Sequence, residues 1–373
     1  MKLKRWPQVA ALMMALTLVV AACGGDDTTA TTEGPAPDTT EAPAGEVLKI
    51  AFVFVGPESD LGWNWAHGQG AQAIEAKFGD AVFVTILEDI PEGSDSQRVF
   101  EDLAADGNKL IFGNSFGYGD PMLAAAENFP DTVFMQATGF LTSENMGQYF
   151  GAAEEARYLT GLAAGAATES NQIGYVAAFP IAEVVRGINA FTLGVREVNP
   201  DATVEVVWTS TWFDPPKEST AAKTLLNKGA DVIAMHQDSP APGQAAEEVG
   251  AFWVGYNTDR IDFAPDAWLT APVWDWAPFY IRTAQQVIDG TWVSESYYGN
   301  MADGMVGLAP YGPSVSDDTK TLIEERTAAI IDGSFAVFPD PIVNQDGEEV
   351  PAWSNFSEDE RFFVVGVIGS PTG

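Results

Sequence analysis

The sequence predicts an α/β fold of two lobes, each a doubly wound parallel sheet with helices on both faces. Short apolar runs of strand length alternate with amphipathic stretches of helical length, and this alternation stops near Gly147–Gly151 and then starts again. Of the 373 residues, 46% are hydrophobic and 11% aromatic, so the chain is long and apolar enough to bury a core in each lobe.

The first series of elements opens with a continuous apolar run from Leu48 to Val55, followed by Gly-Pro and a helical stretch that ends at Phe78. A run without polar alternation predicts a strand that is covered on both faces. The next predicted elements are, in order, strand 81–87, helix 95–105, strand 109–112, helix 121–129 and strand 132–136. We expect Asp120, which precedes a proline, to cap the helix at 121.

The second series repeats the pattern after the break. Its predicted elements are, in order, helix 152–168, strand 173–177, helix 182–198, strand 204–208, helix 217–227, strand 232–235, helix 242–249 and strand 252–254. Asp214 stands before two prolines and is expected to cap the helix that follows.

Composition excludes several function classes. Acidic residues outnumber basic ones 53 to 18, for a net charge of −35, and such a surface repels nucleic acids and anionic lipids. One cysteine and two histidines cannot form an internal disulfide or a closed zinc site. We therefore expect no nucleic-acid partner, no metal and no cofactor.

The N-terminal segment is typical of an exported protein. Basic residues at positions 2, 4 and 5 precede an apolar run over 9–22, which is too short to span a bilayer comfortably. The run ends in Val20-Ala21-Ala22-Cys23-Gly24, which resembles a bacterial lipobox. That resemblance implies a signal peptide over 1–22, cleavage before Cys23, and a lipid on its thiol that anchors the protein outside the cell membrane. The alternative is an ordinary signal peptide with a free cysteine nearby.

The segment from Gly24 to Glu46 is predicted to be a linker. It holds six Thr, three Pro and six acidic residues, with no aromatic or large aliphatic residue. Because nothing in it can bury apolar surface, we expect an extended, solvated chain and a globular body that begins near Val47.

The predicted ligand site lies at the carboxyl ends of the strands, where open parallel sheets bind their ligands. Aromatic rings stack on a flat ligand, while carboxylates and amides bind its rim, so such residues in these loops favour a planar, polar-edged ligand. The candidates are Asp60, Trp63, Asn64, Asn114, Phe116, Tyr118, Phe179, Trp212, Phe213, Asp238, Asn257 and Trp274.

Enzyme signatures are weak. The chain has no Gly-x-Ser-x-Gly elbow, Walker loop, His-Glu-x-x-His or strand-to-helix Gly-x-Gly-x-x-Gly. His67 is expected to make a local hydrogen bond, and His236, which ends a strand, is open to ligand binding or packing. We expect a binding protein, with a glycoside- or nucleoside-acting enzyme as the alternative of a different class.

Three stretches carry a family resemblance. They read Pro180-Ile-Ala-Glu-Val-Val-Arg-Gly-Ile-Asn-Ala-Phe, Val207-Trp-Thr-Ser-Thr-Trp-Phe-Asp-Pro-Pro-Lys-Glu and Gln237-Asp-Ser-Pro-Ala-Pro. Together they resemble the basic membrane protein (BMP/Med) family, the solute-binding lipoproteins of ABC importers that include purine-nucleoside receptors. The segment Asp340-Pro-Ile is similar to the family's closing hairpin, with Asp340 in place of a glycine.

The resemblance implies a type I periplasmic-binding-protein fold with two Rossmann-like lobes, three crossover segments and a ligand in the cleft. Residues 47–148 and about 272–310 would form the N-terminal lobe, and residues 149–271 and about 311–373 the C-terminal lobe. The implied partners are a small-molecule purine, an ABC permease and its ATPase, and the protein is expected to be a monomer.

The resemblance also implies which positions contact ligand. Family contacts transfer to Asp60, Trp63, Asn64, Phe116, Phe213, Asn257 and Trp274, whereas Asp238 is our own candidate for the carboxylate that faces ligand N–H groups. In nucleoside-binding relatives an Asp and a Lys hold the ribose, and here these positions read Asn257 and Trp274. We therefore expect a free base such as adenine. A one-residue shift would give the ribose role to Asp259, and nucleoside, riboflavin or sugar binding are the alternatives.

Overall fold

The computed structural model describes residues 47–344, 346–351 and 366–368. The predicted signal peptide, Cys23 and the linker up to residue 46 lie outside the described residues and stay predictions. Within the described ranges no helix is long and apolar enough to cross a membrane.

The described strands and helices alternate as the sequence predicts. The strands are β1 Leu48–Val53, β2 Val82–Leu87, β3 Leu110–Gly113, β4 Val133–Ala137, β5 Met146–Gly151, β6 Gln172–Ala177, β7 Thr203–Trp208, β8 Val232–His236, β9 Phe252–Val254, β10 Trp268–Thr270, β11 Pro272–Trp274, β12 Ser296–Gly299, β13 Val306–Leu308, β14 Ile342–Val343, β15 Glu349–Val350 and β16 Val367–Ile368. The helices are α1 Trp63–Phe78, α2 Ser94–Ala105, α3 Gly119–Asn128, α4 Ala153–Ala167, α5 Ala182–Val198, α6 Pro215–Asn227, α7 Ala241–Glu247, α8 Ala277–Ile288 and α9 Asp317–Ile331.

The first lobe is a parallel sheet with strand order β12-β5-β4-β3-β1-β2. Alternate residues of β1 face opposite layers. Ile50 and Phe52 pack with the layer that contains α1 and α8, whereas Ala51 and Val53 pack with α2 and α3. Since both faces are buried, β1 needs apolar residues at every position, which explains its continuous apolar run.

The second lobe repeats this arrangement with strand order β10-β9-β8-β6-β7-β16. Its helices α4 and α5 pack closely because two glycines lie at their contact. A Cβ on Gly161 would lie 2.1 Å from the Phe191 carbonyl oxygen, and one on Gly194 would lie 2.0 Å from that of Tyr158. Alanine at either position would force the two helices apart.

Between the lobes the chain crosses through short segments. The strand β5 belongs entirely to the first sheet, so the first crossing follows Gly151, later than the boundary predicted between residues 148 and 149. The chain returns to the first lobe through β11 and crosses to the second lobe for the last time through β13. These two strands pair antiparallel as a ribbon. The strand β12 then completes the first sheet, and α9 packs against α4 in the second lobe.

Three local predictions can be compared with the structure. The Asp214 side chain accepts a hydrogen bond from the Lys217 amide and caps α6, as predicted. Asp120 does not cap α3, because that helix begins one residue earlier and Asp120 lies in its first turn. The strands β14 and β15 pair as the hairpin that the resemblance implied near Asp340.

Candidate ligand-binding site

Two adjoining cavities lie between the lobes, where the carboxyl ends of both sheets face each other. The inner cavity, about 380 Å³ including open solvent, is lined by Val55, Trp63, Asn114, Ser115, Phe116 and Thr138 from the first lobe and by Glu183, Trp212, His236, Asp238 and Tyr256 from the second. The outer cavity, about 1390 Å³ including open solvent, shares Phe116, Thr138 and Glu183 with it. Its other lining residues are Gly139, Phe140, Gln148, Phe150, Pro180, Ile181, Ala182, Arg186 and Tyr298. The aromatic and polar lining of the inner cavity is typical of a small-molecule site.

The first-lobe wall is held by a network of hydrogen bonds. The Trp63 indole N–H donates to the Asn114 carbonyl oxygen at 2.6 Å. The Asn114 Oδ1 accepts from the Val55 amide at 3.0 Å, and its Nδ2 donates to Asn64 Oδ1 at 2.8 Å. Because these contacts use both ends of the Asn114 amide, its side chain mainly supports the wall and holds the Trp63 ring in place.

Asp60 does not line either cavity. Its buried carboxylate accepts hydrogen bonds from the amides of Gly62, Asn64 and Trp65 and from Asn64 Nδ2, at 2.7 to 3.1 Å. These donors belong to the first turn of α1, so Asp60 fixes the start of that helix. Asn64, which is buried behind the wall, likewise supports the site without lining it.

Three predicted aromatic contacts are also absent from the cavity walls. Tyr118 is fully buried in the first-lobe core, where it packs edge-on against Phe100 and donates a hydrogen bond to the Ile90 carbonyl. Phe213 is exposed to solvent. Phe179 packs edge-on against Trp212 at 5.0 Å between ring centroids and so supports a lining residue.

Three further candidates, Asp238, Asn257 and Trp274, form a hydrogen-bonded chain. The Trp274 indole N–H donates to Asn257 Oδ1 at 2.9 Å, and Asn257 Nδ2 donates to Asp238 Oδ1 at 2.9 Å. Asp238 lines the inner cavity, whereas Asn257 and Trp274 lie behind it. Asn257 has a φ of +70°, a conformation that Asn adopts more readily than most residues.

Asp238 is a buried carboxylate among other charges. Burial raises the pKa of Asp238 well above its usual range, and the nearby carboxylates of Asp60 and Glu218 raise it further. The Arg260 guanidinium and the hydrogen bond from Asn257 act in the opposite direction. A ligand N–H group that points at Asp238 would satisfy this acceptor, so the site favours a hydrogen-bond donor there.

Six residues that line the inner cavity were not among the predicted site residues: Val55, Ser115, Thr138, Glu183, His236 and Tyr256. His236 was left open and proves to line the site, 3.7 Å from a Glu183 oxygen and packed against the Tyr256 ring. Burial lowers the pKa of His236 well below its usual value, and the positive charges of Arg157 and Arg186 lower it further. His236 is therefore neutral near pH 7.

Behind Tyr256 lies the fully buried cation of Arg157. Its guanidinium stands 3.7 Å from the centre of the Tyr256 ring, and its Nη1 donates to the Met235 carbonyl at 2.6 Å. The cation–π contact fixes the ring that forms part of the second-lobe wall.

Thr258 and Arg260 connect the two lobes directly. The Thr258 hydroxyl and Arg260 Nε both donate to the Leu61 carbonyl oxygen, at 2.6 and 3.0 Å. Close approach here needs a glycine, since a Cβ on Gly62 would lie 2.8 Å from the backbone carbonyl oxygen of Asp238. These contacts hold the two lobes together beside the cleft.

The described residues contain no group of three or more His, Cys, Asp or Glu side chains that could hold a metal ion. The polar groups of the inner cavity are instead suited to hydrogen bonding with an organic ligand. The five predicted site residues that line it are Trp63, Asn114, Phe116, Trp212 and Asp238.

Known proteins resemble the chain over most of its length. The model of the family described as PnrA-like ABC transporter substrate-binding proteins matches residues 47–368. A purine-binding protein of Brucella abortus is 42% identical over 331 residues, which cover 87% of this chain and 94% of that protein. A putative glucose-binding ABC transporter protein of Haloferax volcanii is 42% identical over 339 residues, which cover 91% of this chain and 84% of that protein.

Solved structures share the fold. A solute-binding protein of an ABC transporter system from Aeropyrum pernix matches with a TM-score of 0.68 and 19% identity over 78% of this chain and 92% of its own. One from Conexibacter woesei matches with a TM-score of 0.62 and 23% identity over 78% of this chain and 98% of its own. The predicted two-lobed fold is confirmed. The family match confirms the resemblance drawn from the sequence: this chain belongs to the Bmp family of PnrA-like ABC transporter substrate-binding proteins.

Proposed function

We propose that this protein is the lipid-anchored extracytoplasmic receptor of an ABC importer, and that it captures a purine and delivers it to the permease. A free base such as adenine is the favoured ligand. The inner cavity carries the proposal, because rings from both lobes flank it and a buried carboxylate stands at its edge. A planar ring with N–H groups fits this chemistry. The name of the purine-binding relative in Brucella abortus supports the same ligand class.

The chain of hydrogen bonds through Trp274, Asn257 and Asp238 favours a base over a nucleoside. The Asn257 side chain contacts Trp274 through its oxygen and Asp238 through its nitrogen, so both ends of the amide are in use. A ribose would need these groups, or charged ones in their place, for its hydroxyls. A hydrogen bond to a charged group contributes about 1.5–3 kcal/mol, so their loss weakens nucleoside binding substantially.

Titration calorimetry with adenine, guanine, xanthine, adenosine and guanosine tests the proposal. We expect one free base to bind more tightly than its own nucleoside. A nucleoside that binds tenfold more tightly than its base, equivalent to about 1.4 kcal/mol, would refute the free-base assignment. Binding of riboflavin but of none of these purines would move the function to another ligand class.

Glucose is a second candidate, because the relative in Haloferax volcanii is named as a putative glucose-binding protein. Tryptophan rings such as Trp63 and Trp212 also stack on sugars, and carboxylates bind sugar hydroxyls. Glucose therefore belongs in the same titration. Saturable binding of glucose without binding of any purine would make the sugar the ligand.

We also propose that the protein binds without catalysing a reaction, as a monomer. Ligand should raise the melting temperature, since only the native state carries the cleft. Incubation with purines, nucleosides and glycosides should leave each unchanged by chromatography, and product that increases with protein concentration would favour the enzyme alternative.

A further inference from the structure

Thr138 has an unusual conformation at the junction of the two cavities. It directly follows β4 and has a φ of +62°, which is rare for a β-branched residue. Its amide donates to the Tyr149 carbonyl at 3.0 Å, which holds the backbone in place. Its hydroxyl oxygen is buried and has no hydrogen-bond partner among the described residues. Strain together with an unused polar group is typical of a functional position.

Glu183 approaches the same junction from the other lobe. It lies in the first turn of α5, and it lines both the inner and the outer cavity, as Thr138 does. Its side chain is only 14% exposed and faces His236 at 3.7 Å. Arg157 and Arg186 provide the positive charge around it. A ligand in the inner cavity would therefore meet Thr138 on one side of this junction and Glu183 on the other.

The hydrogen-bonding character of this junction is mainly that of an acceptor. An ionised carboxylate only accepts, and a threonine hydroxyl accepts or donates. The inner cavity is lined by two carboxylates, Asp238 and Glu183, and by no lysine or arginine among the described residues. An amino group carries two N–H donors and can serve both Thr138 and Glu183. An oxo group at the same place would set its lone pairs against those of the carboxylate.

We propose that Thr138 and Glu183 form a specificity edge that selects purines with a 6-amino group over purines with a 6-oxo group. This inference rests on the proposed purine-binding function and names the class of purine. Asp238 would bind the opposite edge of the same ring, so that each end of the ligand meets a carboxylate.

Calorimetric titration of adenine and hypoxanthine tests the inference in five proteins: wild type, Glu183→Gln, Thr138→Val, Asp332→Asn and Thr138→Ser. The first two substitutions keep size and remove the charge or the hydroxyl. Asp332 is exposed, and its Oδ1 accepts from the Ser334 amide, so its substitution is a matched control for loss of one charge. Thr138→Ser, which keeps the hydroxyl, reports whether a loss at this position comes from packing. Circular dichroism melting checks that each variant is folded.

We expect wild type and the control to prefer adenine by tenfold or more, and Glu183→Gln to reduce this ratio at least tenfold, because an amide can donate to the oxo group. Thr138→Val should weaken adenine binding several-fold, and Thr138→Ser should restore it. A ratio that stays within twofold of wild type in folded Glu183→Gln would overturn the inference while leaving purine binding intact. If the wild type binds neither base, the proposed function itself fails.

Discussion

Two buried aspartates give opposite predictions, although both were expected to contact ligand. Asp238 lines the inner cavity and accepts from Asn257, whereas Asp60 accepts four hydrogen bonds at the start of α1. Burial raises the pKa of both carboxyls, so the difference lies in their contacts. We expect Asp238→Asn to weaken ligand binding and Asp60→Asn to weaken the fold.

The magnitudes follow from the contacts. Asp238→Asn removes a charged acceptor from the ligand, which costs about 1.5–3 kcal/mol and lowers adenine affinity about ten- to hundredfold. The folded protein keeps the proton of this carboxyl to a higher pH than the unfolded protein does, so the free energy of unfolding falls as the pH rises from the unfolded-state pKa towards the folded-state pKa. The asparagine variant should therefore melt at the wild-type temperature or above it.

In the wild type the backbone N–H and the Nδ2 of Asn64 both donate to Asp60 Oδ2. Asp60→Asn places a side-chain N–H₂ donor opposite these two donors. Loss of these bonds should cost at least about 2 kcal/mol. Unfolding of roughly 320 residues carries an entropy of about 0.7 kcal/mol/K, so the melting temperature should fall by about 3 °C. Adenine affinity should change by less than about threefold, because Asp60 does not line the cavity.

Titration calorimetry with adenine and thermal unfolding of ligand-free protein by circular dichroism measure the two effects. Asp332→Asn, at an exposed position, should change neither. If Asp60→Asn lowers affinity more than Asp238→Asn while its melting temperature stays at the wild-type value, the assignment of the two roles is wrong.

Three further predictions concern closure, pH and anchoring. Thr258→Val removes one of the two hydrogen bonds to the Leu61 carbonyl, so adenine affinity measured by calorimetry should fall about two- to tenfold. An unchanged affinity would show that the contact does not stabilise the closed state. Burial raises the pKa of Glu183 to about 7, against the lowering effect of Arg186 and Arg157. Because bound N–H donors require the ionised carboxylate, adenine affinity should fall by up to about tenfold per unit as the pH drops below 7, and Glu183→Gln should lack that part of the dependence. Cys23→Ala should release the folded protein from the membrane fraction, and its retention there would contradict the lipid anchor.

Strand and helix positions were predictable wherever burial on both faces imposes a continuous apolar run, as in β1 and β8. The strand β5 was not recognised, since Met-Gly-Gln-Tyr-Phe-Gly has glycines and a glutamine where most buried strands have aliphatic residues. The edge strand β12 was also not predicted, because its Ser-Tyr-Tyr-Gly sequence is short and partly exposed. Such elements form through pairing with neighbours that are distant in sequence.

The site was predictable in its location but only partly in its residues. Strand ends locate the cleft, and Trp63 and Asp238 were found in this way. Tyr118 follows a strand as well, yet a turn of the backbone directs it into the core. Glu183 was missed because an acidic residue in the first turn of a helix is common without any role in binding. The positive φ of Thr138 depends on tertiary contacts and leaves no signal in the sequence.

The order in which the chain is synthesised conflicts with the order in which the sheets are completed. The strand β12 covers the exposed edge of β5, and β16 covers that of β7. Each sheet is therefore completed by a strand that is synthesised after most of the other lobe. Until residue 299 has emerged, β5 offers unpaired backbone groups to any other strand nearby. Long-range pairing of this kind slows folding. A nascent chain of this protein is therefore open to non-native strand pairing for most of its synthesis, and fragments that end before β12 should aggregate.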